Sequence, residues 1–316
     1  MVQMDKAQTN VALLCEIAGV SRSGYYAWVK AAGKRAEREE QDRRDFELIR
    51  KAYASAPNGK GTGARGIYMI MLHWDPIVIM NVKKIRRLMK KYGLKCYIRR
   101  KNKQRQIMKA MQSDNYADNV LMRQFEAYGP RKVLLTDITY IPYDDEHDRK
   151  FAYLSTILDA YTKEILAYVV SNSLEEDFVL ETVKLLAENH KISLHEKTLI
   201  HSDQGSHYSC IRFIDLVKSY NLRRSMSRRG NCWDNAPQES FFGHMKDHVD
   251  CRKVTEFEQV KELIDEYMEY YNNRRYQWDL AKLAPKEFYE FVVTKKYPLK
   301  VPNPPKAPCN FLQMPA

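Results

Sequence analysis

Residues 133–143, VLLTDITYIPY, are apolar on both of their alternating faces. A strand of that texture has to be covered on two sides, which places it at the centre of a sheet with helices above and below. FAYLSTILDAY (151–161) and EILAYVVSN (164–172) are predicted as the next two strands, a hairpin turning at Tyr161, Thr162 and Lys163. LEEDFVLETVKLLAENH (174–190) has the spacing of an amphipathic helix. TLIHSD (198–203) and residues 223–227 are short strands separated by a helix over 210–221, and Pro237 opens a further helix over 236–250. Three antiparallel strands followed by strand–helix alternation make an α/β layer structure covered on both faces. A long helix over 256–275 follows, then a proline-rich tail expected to be extended and floppy.

The N-terminal part has a different character. Val11, Leu14, Cys15 and Ile17 recur at helical spacing up to Gly19, and Ser21 can cap a second helix carrying Tyr25, Tyr26 and Trp28. Two short helices about a Gly-containing turn suit helix-turn-helix geometry. A charged helix (35–55) and a Gly-rich break, NGKGTGARG (58–66), lead to VKKIRRLMKKYGL (82–94). There Ile85, Leu88, Met89 and Tyr92 share one face, while Lys83, Lys84, Arg86, Arg87, Lys90 and Lys91 fill the other. The net charge of +12 is concentrated in this region, because residues 51–110 hold 16 Lys and Arg against a single acid, Asp75. A basic stretch so poor in acids points to a polyanion, most simply nucleic acid, rather than to an ordinary solvated surface. The six basic residues of 82–94 are its candidate phosphate contacts.

The expected organisation is therefore a helix-turn-helix-like region (1–55), a basic helical DNA-binding region (56–112), a linker (113–129), an α/β core (130–250), and a C-terminal helix with an extended tail (251–316). No apolar run is long enough to span a bilayer, and the first residues lack a signal-peptide pattern. Six cysteines without a C-x-x-C pair are expected to be reduced thiols, as in a cytoplasmic, nucleoid-associated protein.

Chemistry resides in three carboxylates. Asp137 interrupts the apolar strand LLTDITY, Asp203 ends the strand LIHSD, and Glu239 falls in the first turn of the helix after NAPQ. A carboxylate inside a central strand is costly unless paired, hydrogen-bonded or bound to a cation. Three of them converging would repel one another, and divalent cations reverse that balance. Mg²⁺ takes oxygen ligands and leaves coordination sites for phosphate, and two ions about 4 Å apart suit an in-line displacement at a phosphodiester. A basic half that holds DNA and an acidic site that cuts it form a coherent pair.

The spacing adds a resemblance. Thirty-five residues separate Asp203 from Glu239, and the stretches TDITYI (136–141), HSDQGSHY (201–208), SMSRRGNCWDNAPQESFFGHMK (225–246) and YYNNRRYQWDLAKLAPKEFY (270–289) resemble the DDE transposases of bacterial insertion sequences, whose core is shared with retroviral integrases. GVSRSGYYAW (19–28) and VKKIRRLMKKYGL (82–94) match as well, and the chain looks like the OrfB subunit of the insertion-sequence-three family. The resemblance implies a ribonuclease-H-like, integrase-type core with a mixed five-stranded sheet, preceded by all-α DNA-binding units. It implies that Asp137, Asp203 and Glu239 bind two Mg²⁺ ions, with Mn²⁺ as a substitute, and that Lys246 contacts DNA near the reacting phosphate. It further implies 3′-end cleavage and strand transfer on double-stranded DNA, a homo-oligomer on that DNA, and an upstream OrfA-type helix-turn-helix partner or a fusion with it. Two rival functions differ in kind: a Mg²⁺-dependent nuclease of the same fold without strand transfer, and a non-catalytic DNA-binding regulator.

Other candidates read more plainly. His201 faces the same way as Asp203 and is as readily a satisfied histidine as a tuning group. His244 and His248 lack the H-E-x-x-H context and a third ligand, which argues against zinc. Asp159 reads as a turn residue, and Trp233, Phe241 and Phe242 as core.

Overall fold

The computed structural model describes residues 10–56, 62–96, 125–145, 148–191, 193–195, 198–227, 235–251 and 254–313. The basic arm over 99–112, most of the 113–129 linker, Gly-rich residues 58–61, Cys232 and Trp233 lie outside them.

The N-terminal helices begin as the sequence predicts. Helix α1 (Val11–Ile17) is capped by Asn10 and followed by Gly19 at φ +65°, a left-handed turn that glycine adopts without steric cost. Ser21 caps α2 (Arg22–Lys30), accepting from the Gly24 amide at 3.0 Å. Helix α2 buries none of its residues, and Trp28 is exposed. Helices α3 (Ala32–Ala54), α4 (Ala64–Leu72) and α5 (Val82–Lys91) then pack around Ile49, Ile67, Met71, Ile85 and Leu88, all fully buried.

The packing divides the basic back of α5. Arg87 donates two hydrogen bonds to Asp42 of α3, at 2.6 and 2.7 Å, and Lys91 donates to the same carboxylate at 2.8 Å. Lys84 pairs with Asp45. Lys83, Arg86 and Lys90 instead form an exposed row at i, i+3 and i+7. That surface is therefore not uniform: three of its six cations are engaged by acids that lie 39 to 52 residues earlier in the chain.

Those two cations hold the Asp42 carboxyl well below its usual value of 3.8. A depressed carboxylate contributes stability that is complete above the unfolded pKa and is lost as pH falls below it. Asp42→Asn is therefore expected to lower the melting temperature by several degrees at pH 7, with the gap to wild type closing below about pH 4. Equal melting of the two proteins at neutral pH would show that the carboxylate does not support this packing.

The core sheet is mixed and five-stranded. Strand β1 (Val133–Asp145) is central, with β2 (Asp148–Asp159) antiparallel on one side and β4 (Leu199–Ser202) parallel on the other. With β3 (Ile165–Ser171) and β5 (Arg223–Met226) at the edges, the order is β3-β2-β1-β4-β5. Alternation along β1 sends Leu134 to one face and Val133 and Leu135 to the other. On the first face Leu134 and Ile157 meet Phe178 and Val183 of α6 (Asp177–His190), Tyr208 of α7 (Ser206–Ser209) and Phe213 of α8 (Ile211–Ser219). On the second, Leu135, Leu154 and Leu158 meet Phe241, Phe242 and Met245 of α9 (Ala236–His248), with Val260 and Ile264 of α10 (Phe257–Asn273) behind them. Each such fully buried side chain contributes roughly 1.5–3 kcal/mol. Helices cover both faces, as the doubly apolar strand requires.

The C-terminal region departs from expectation. A further helix, α11 (Pro285–Thr294), follows α10. The tail beyond it is extended but held: Leu299, Ala307 and Phe311 pack on the cluster of Leu283, Phe288 and Phe291, and the Leu312 amide donates to the Ala127 carbonyl at 2.8 Å. The same region docks the N-terminal helices, since His73 stacks on Tyr276 at 3.5 Å and its Nε2 lies 3.3 Å from Glu287.

Candidate active site

Asp137 sits midway along β1, directly opposite Thr156 of β2. Residues facing each other across an antiparallel pair share a sheet face, so Asp137 and Thr156 both look toward α9, as Leu135 and Leu154 do. On its other side β1 runs parallel to β4 with Leu135 opposite His201. That is the last paired step of the two strands, and Asp137 and Asp203 each lie two residues beyond it, Asp203 one residue past the end of β4. The end of a parallel strand beside a sheet's centre is where α/β folds place their ligands.

Local chemistry holds both carboxylates. Asp137 Oδ1 accepts from the Ile138 amide at 2.8 Å, and Asp203 Oδ1 accepts from the Gly205 amide at 2.9 Å. A Cβ on residue 205 would lie 2.9 Å from that same oxygen, so any side chain there would require the Asp203 carboxylate to shift. Both groups are partly exposed. They also converge electrostatically on one phenol. Burial pushes the Tyr208 hydroxyl well above its ordinary value, and the charges of Asp137 and Asp203 push it further.

Glu239 arrives on α9. Asn235 is the N-cap position, Pro237 falls in the first turn, and Glu239 lies there as well, where a negative charge is favoured by the helix dipole. Two buried amides seat this turn on the sheet. Asn235 Nδ2 donates to the Thr136 carbonyl at 3.4 Å, and Gln238 Nε2 donates to Thr156 Oγ1. The helix carrying the third carboxylate is thereby fixed to the residues that flank and face the first. The Glu239 side chain itself is exposed, and among the described residues no three carboxylate, imidazole or thiol groups are gathered tightly enough to enclose an ion. Lys246 lies half-buried two helical turns beyond Glu239, about 10 Å along the axis.

The remaining candidates are structural. His201 is fully buried, with Nδ1 2.9 Å from Ser225 Oγ and Nε2 3.1 Å from Ser227 Oγ, so both ring nitrogens serve to tie β4 to the β5 side. His248 Nδ1 lies 2.8 Å from the His244 carbonyl, a contact within one helix. Asp159 is fully buried at the C-terminal end of β2, three residues beyond Thr156. There it accepts from the Arg131 and Tyr161 amides and from Thr162 Oγ1, as a turn residue does. Phe241 and Phe242 are core. The sequence marks Asn235, with Pro237, as a helix start, whereas Thr156, Tyr208 and Gln238 carry no local signal of a role at the site.

Comparison with known proteins agrees with this construction. The integrase core domain family matches residues 127–232, and a second family described as integrase core domain matches residues 220–285. The mixed sheet with its flanking helices is the ribonuclease-H-like fold of that core. In shape the chain is similar to the catalytic core domain of BIV integrase, at 15% identity and a TM-score of 0.40 over 53% of this chain and 99% of that one. Among curated relatives, the transposase InsF for insertion sequence IS3A of Escherichia coli (strain K12) is 24% identical over 91% of this chain and 96% of its own. The putative transposase InsK for insertion sequence element IS150, from the same organism, is 34% identical over 87% of this chain and 92% of its own. Full-length similarity at that level makes this chain a member of the IS3 family of DDE transposases.

Proposed function

We propose that this transposase binds the ends of its insertion element, cleaves their 3′ ends and joins the freed hydroxyls to target DNA, with Asp137, Asp203 and Glu239 as the catalytic carboxylates. The observation that supports the reading is the register of the sheet: β1 and β4 pair in parallel up to Leu135 and His201, two residues short of Asp137 and Asp203, and Gln238 seats the helix that bears Glu239 on Thr156, the cross-strand partner of Asp137. The donor set suits hard divalent cations, since all three groups offer carboxylate oxygens, and Asn235 Oδ1 and Gln238 Oε1 are buried beside them without a hydrogen-bond partner among the described residues. Asp137, Asp203 and Glu239 would hold two Mg²⁺ ions, with Mn²⁺ able to substitute, and the ions when bound supply charge stabilisation at the reacting phosphodiester. The chain's own part is positional. Strand register fixes two carboxylates, and a rotation of the exposed Glu239 side chain brings in the third. The exposed row Lys83, Arg86 and Lys90 holds double-stranded DNA by its phosphates, and Lys246 lies on the Glu239 helix to meet phosphate near the site.

On this reading the protein works as a homo-oligomer bridging paired ends, beside an upstream OrfA-type helix-turn-helix partner or fused to it; the family's organisation supports both. The deciding experiment incubates the protein with labelled duplexes carrying the element's ends and with Mg²⁺ or Mn²⁺, scoring nicked and joined products separately. Joined products are expected. Nicks alone would identify the same-fold nuclease, and metal-independent binding with neither product would identify a regulator.

A further inference from the structure

We infer that Gln238 is a positioning residue for the reaction: its buried amide, seated on Thr156, sets the height and rotation of the helical turn that holds Glu239 over Asp137. The inference rests on the carboxylate assignment proposed above and deepens it.

Gln238 and Thr156 are both fully buried, and Gln238 Nε2 donates to Thr156 Oγ1. Thr156 is the cross-strand partner of Asp137, so the contact ties the residue before Glu239 to the residue opposite Asp137. Little else in this turn is available for the task. Asn235 reaches a backbone carbonyl at 3.4 Å, and the neighbouring Ala236 and Pro237 offer no side-chain donor. The apolar anchors of α9, Phe241, Phe242 and Met245, lie beyond Glu239 and hold the helix body rather than its first turn.

The chemistry of the amide makes a purely structural role a poor account. Gln238 Oε1 is buried without a hydrogen-bond partner among the described residues. An unpaired buried acceptor costs stability that a leucine of similar volume would not. A fold under pressure for stability alone would place an apolar residue here, facing Leu154 and Leu158. A directional contact makes sense where a carboxylate one residue away has to be held in register. Side chains that orient metal-binding groups without touching the ion typically alter metal affinity 10- to 100-fold when removed.

The test uses the full chain and four variants, Gln238→Leu, Thr156→Val, the double variant combining these two, and Thr156→Ser, with wild type and Glu239→Gln as references. Mn²⁺ binding is followed by electron paramagnetic resonance, and joining of pre-cleaved ends is measured across a Mg²⁺ titration. Gln238→Leu and Thr156→Val are each expected to weaken Mn²⁺ binding and raise the half-saturating Mg²⁺ concentration about tenfold, with duplex affinity unchanged. The double variant is expected to be no worse than either single one, because both remove one contact. Thr156→Ser, which keeps the hydroxyl, is expected to behave as wild type, and it keeps the test sharp should Gln238→Leu fold poorly. Unchanged metal dependence in Gln238→Leu, or identical behaviour of Thr156→Ser and Thr156→Val, overturns the inference while an inactive Glu239→Gln leaves the carboxylate assignment standing. Near-normal joining by Glu239→Gln overturns both.

Discussion

Asp137→Asn, Asp203→Asn and Glu239→Gln are each expected to reduce cleavage and joining by on the order of a thousandfold or more, while the protein keeps its fold and its affinity for duplex DNA. The amide is nearly isosteric with the carboxylate, so packing is conserved, but it brings no charge to a divalent cation. Removal of one preorganised group that stabilises transition-state charge costs about 10²–10³ in rate on its own. A residue that only supports such a group costs less, which separates these three from Gln238 by the size of the effect. Asp203→Asn also keeps the turn, since an asparagine oxygen can still accept the Gly205 amide now bonded at 2.9 Å. Measurement is by quantified joining of pre-cleaved ends alongside duplex binding and thermal melting. A variant that joins within a few-fold of wild type would remove its residue from the site.

The three carboxylates differ in how plainly the sequence announces them. Asp137 is conspicuous because an ionisable group in an apolar strand has no inexpensive structural excuse. Asp203 and Glu239 would each pass for a turn and a helix-dipole residue alone, and only the 35-residue spacing and the flanking motifs propose them as a set. The strands are legible for the same reason as Asp137: alternation and doubly apolar texture are local properties. Helix α11 was missed although Pro285 marks its first turn and Phe288, Phe291 and Val292 follow at helical spacing, because the prolines from Pro298 onward make the whole region read as extended. Long-range pairing leaves no local trace at all. Nothing near Gln238 in the chain announces Thr156, and nothing near Arg87 announces Asp42, since each partner is brought up only by tertiary packing.

That last pairing divides the basic helix into two functional halves and sets the second large expectation. Lys83, Arg86 and Lys90 lie exposed along one row, whereas Lys84, Arg87 and Lys91 are drawn to Asp45, Asp42 and Glu39. A cation already compensated by a carboxylate releases few counterions from DNA, so the two halves should separate in a salt titration. Replacing Lys83, Arg86 and Lys90 together with alanine is expected to flatten the slope of log affinity against log salt by about 2.7, at about 0.9 per phosphate contact. At 0.1 M salt the same term weakens duplex binding on the order of a hundredfold or more. The melting temperature should hardly move, because exposed cations without buried partners contribute little to folding. Replacing Lys84, Arg87 and Lys91 should do the reverse: a small change in salt slope with a clear loss of thermal stability, because Asp42 would stay buried against α3 and α5 without its two cations. Equal changes of slope in the two triple variants would show that the α3 acids yield their cations to DNA on binding. An unchanged slope in the Lys83, Arg86 and Lys90 variant would place the DNA-holding surface elsewhere on the chain.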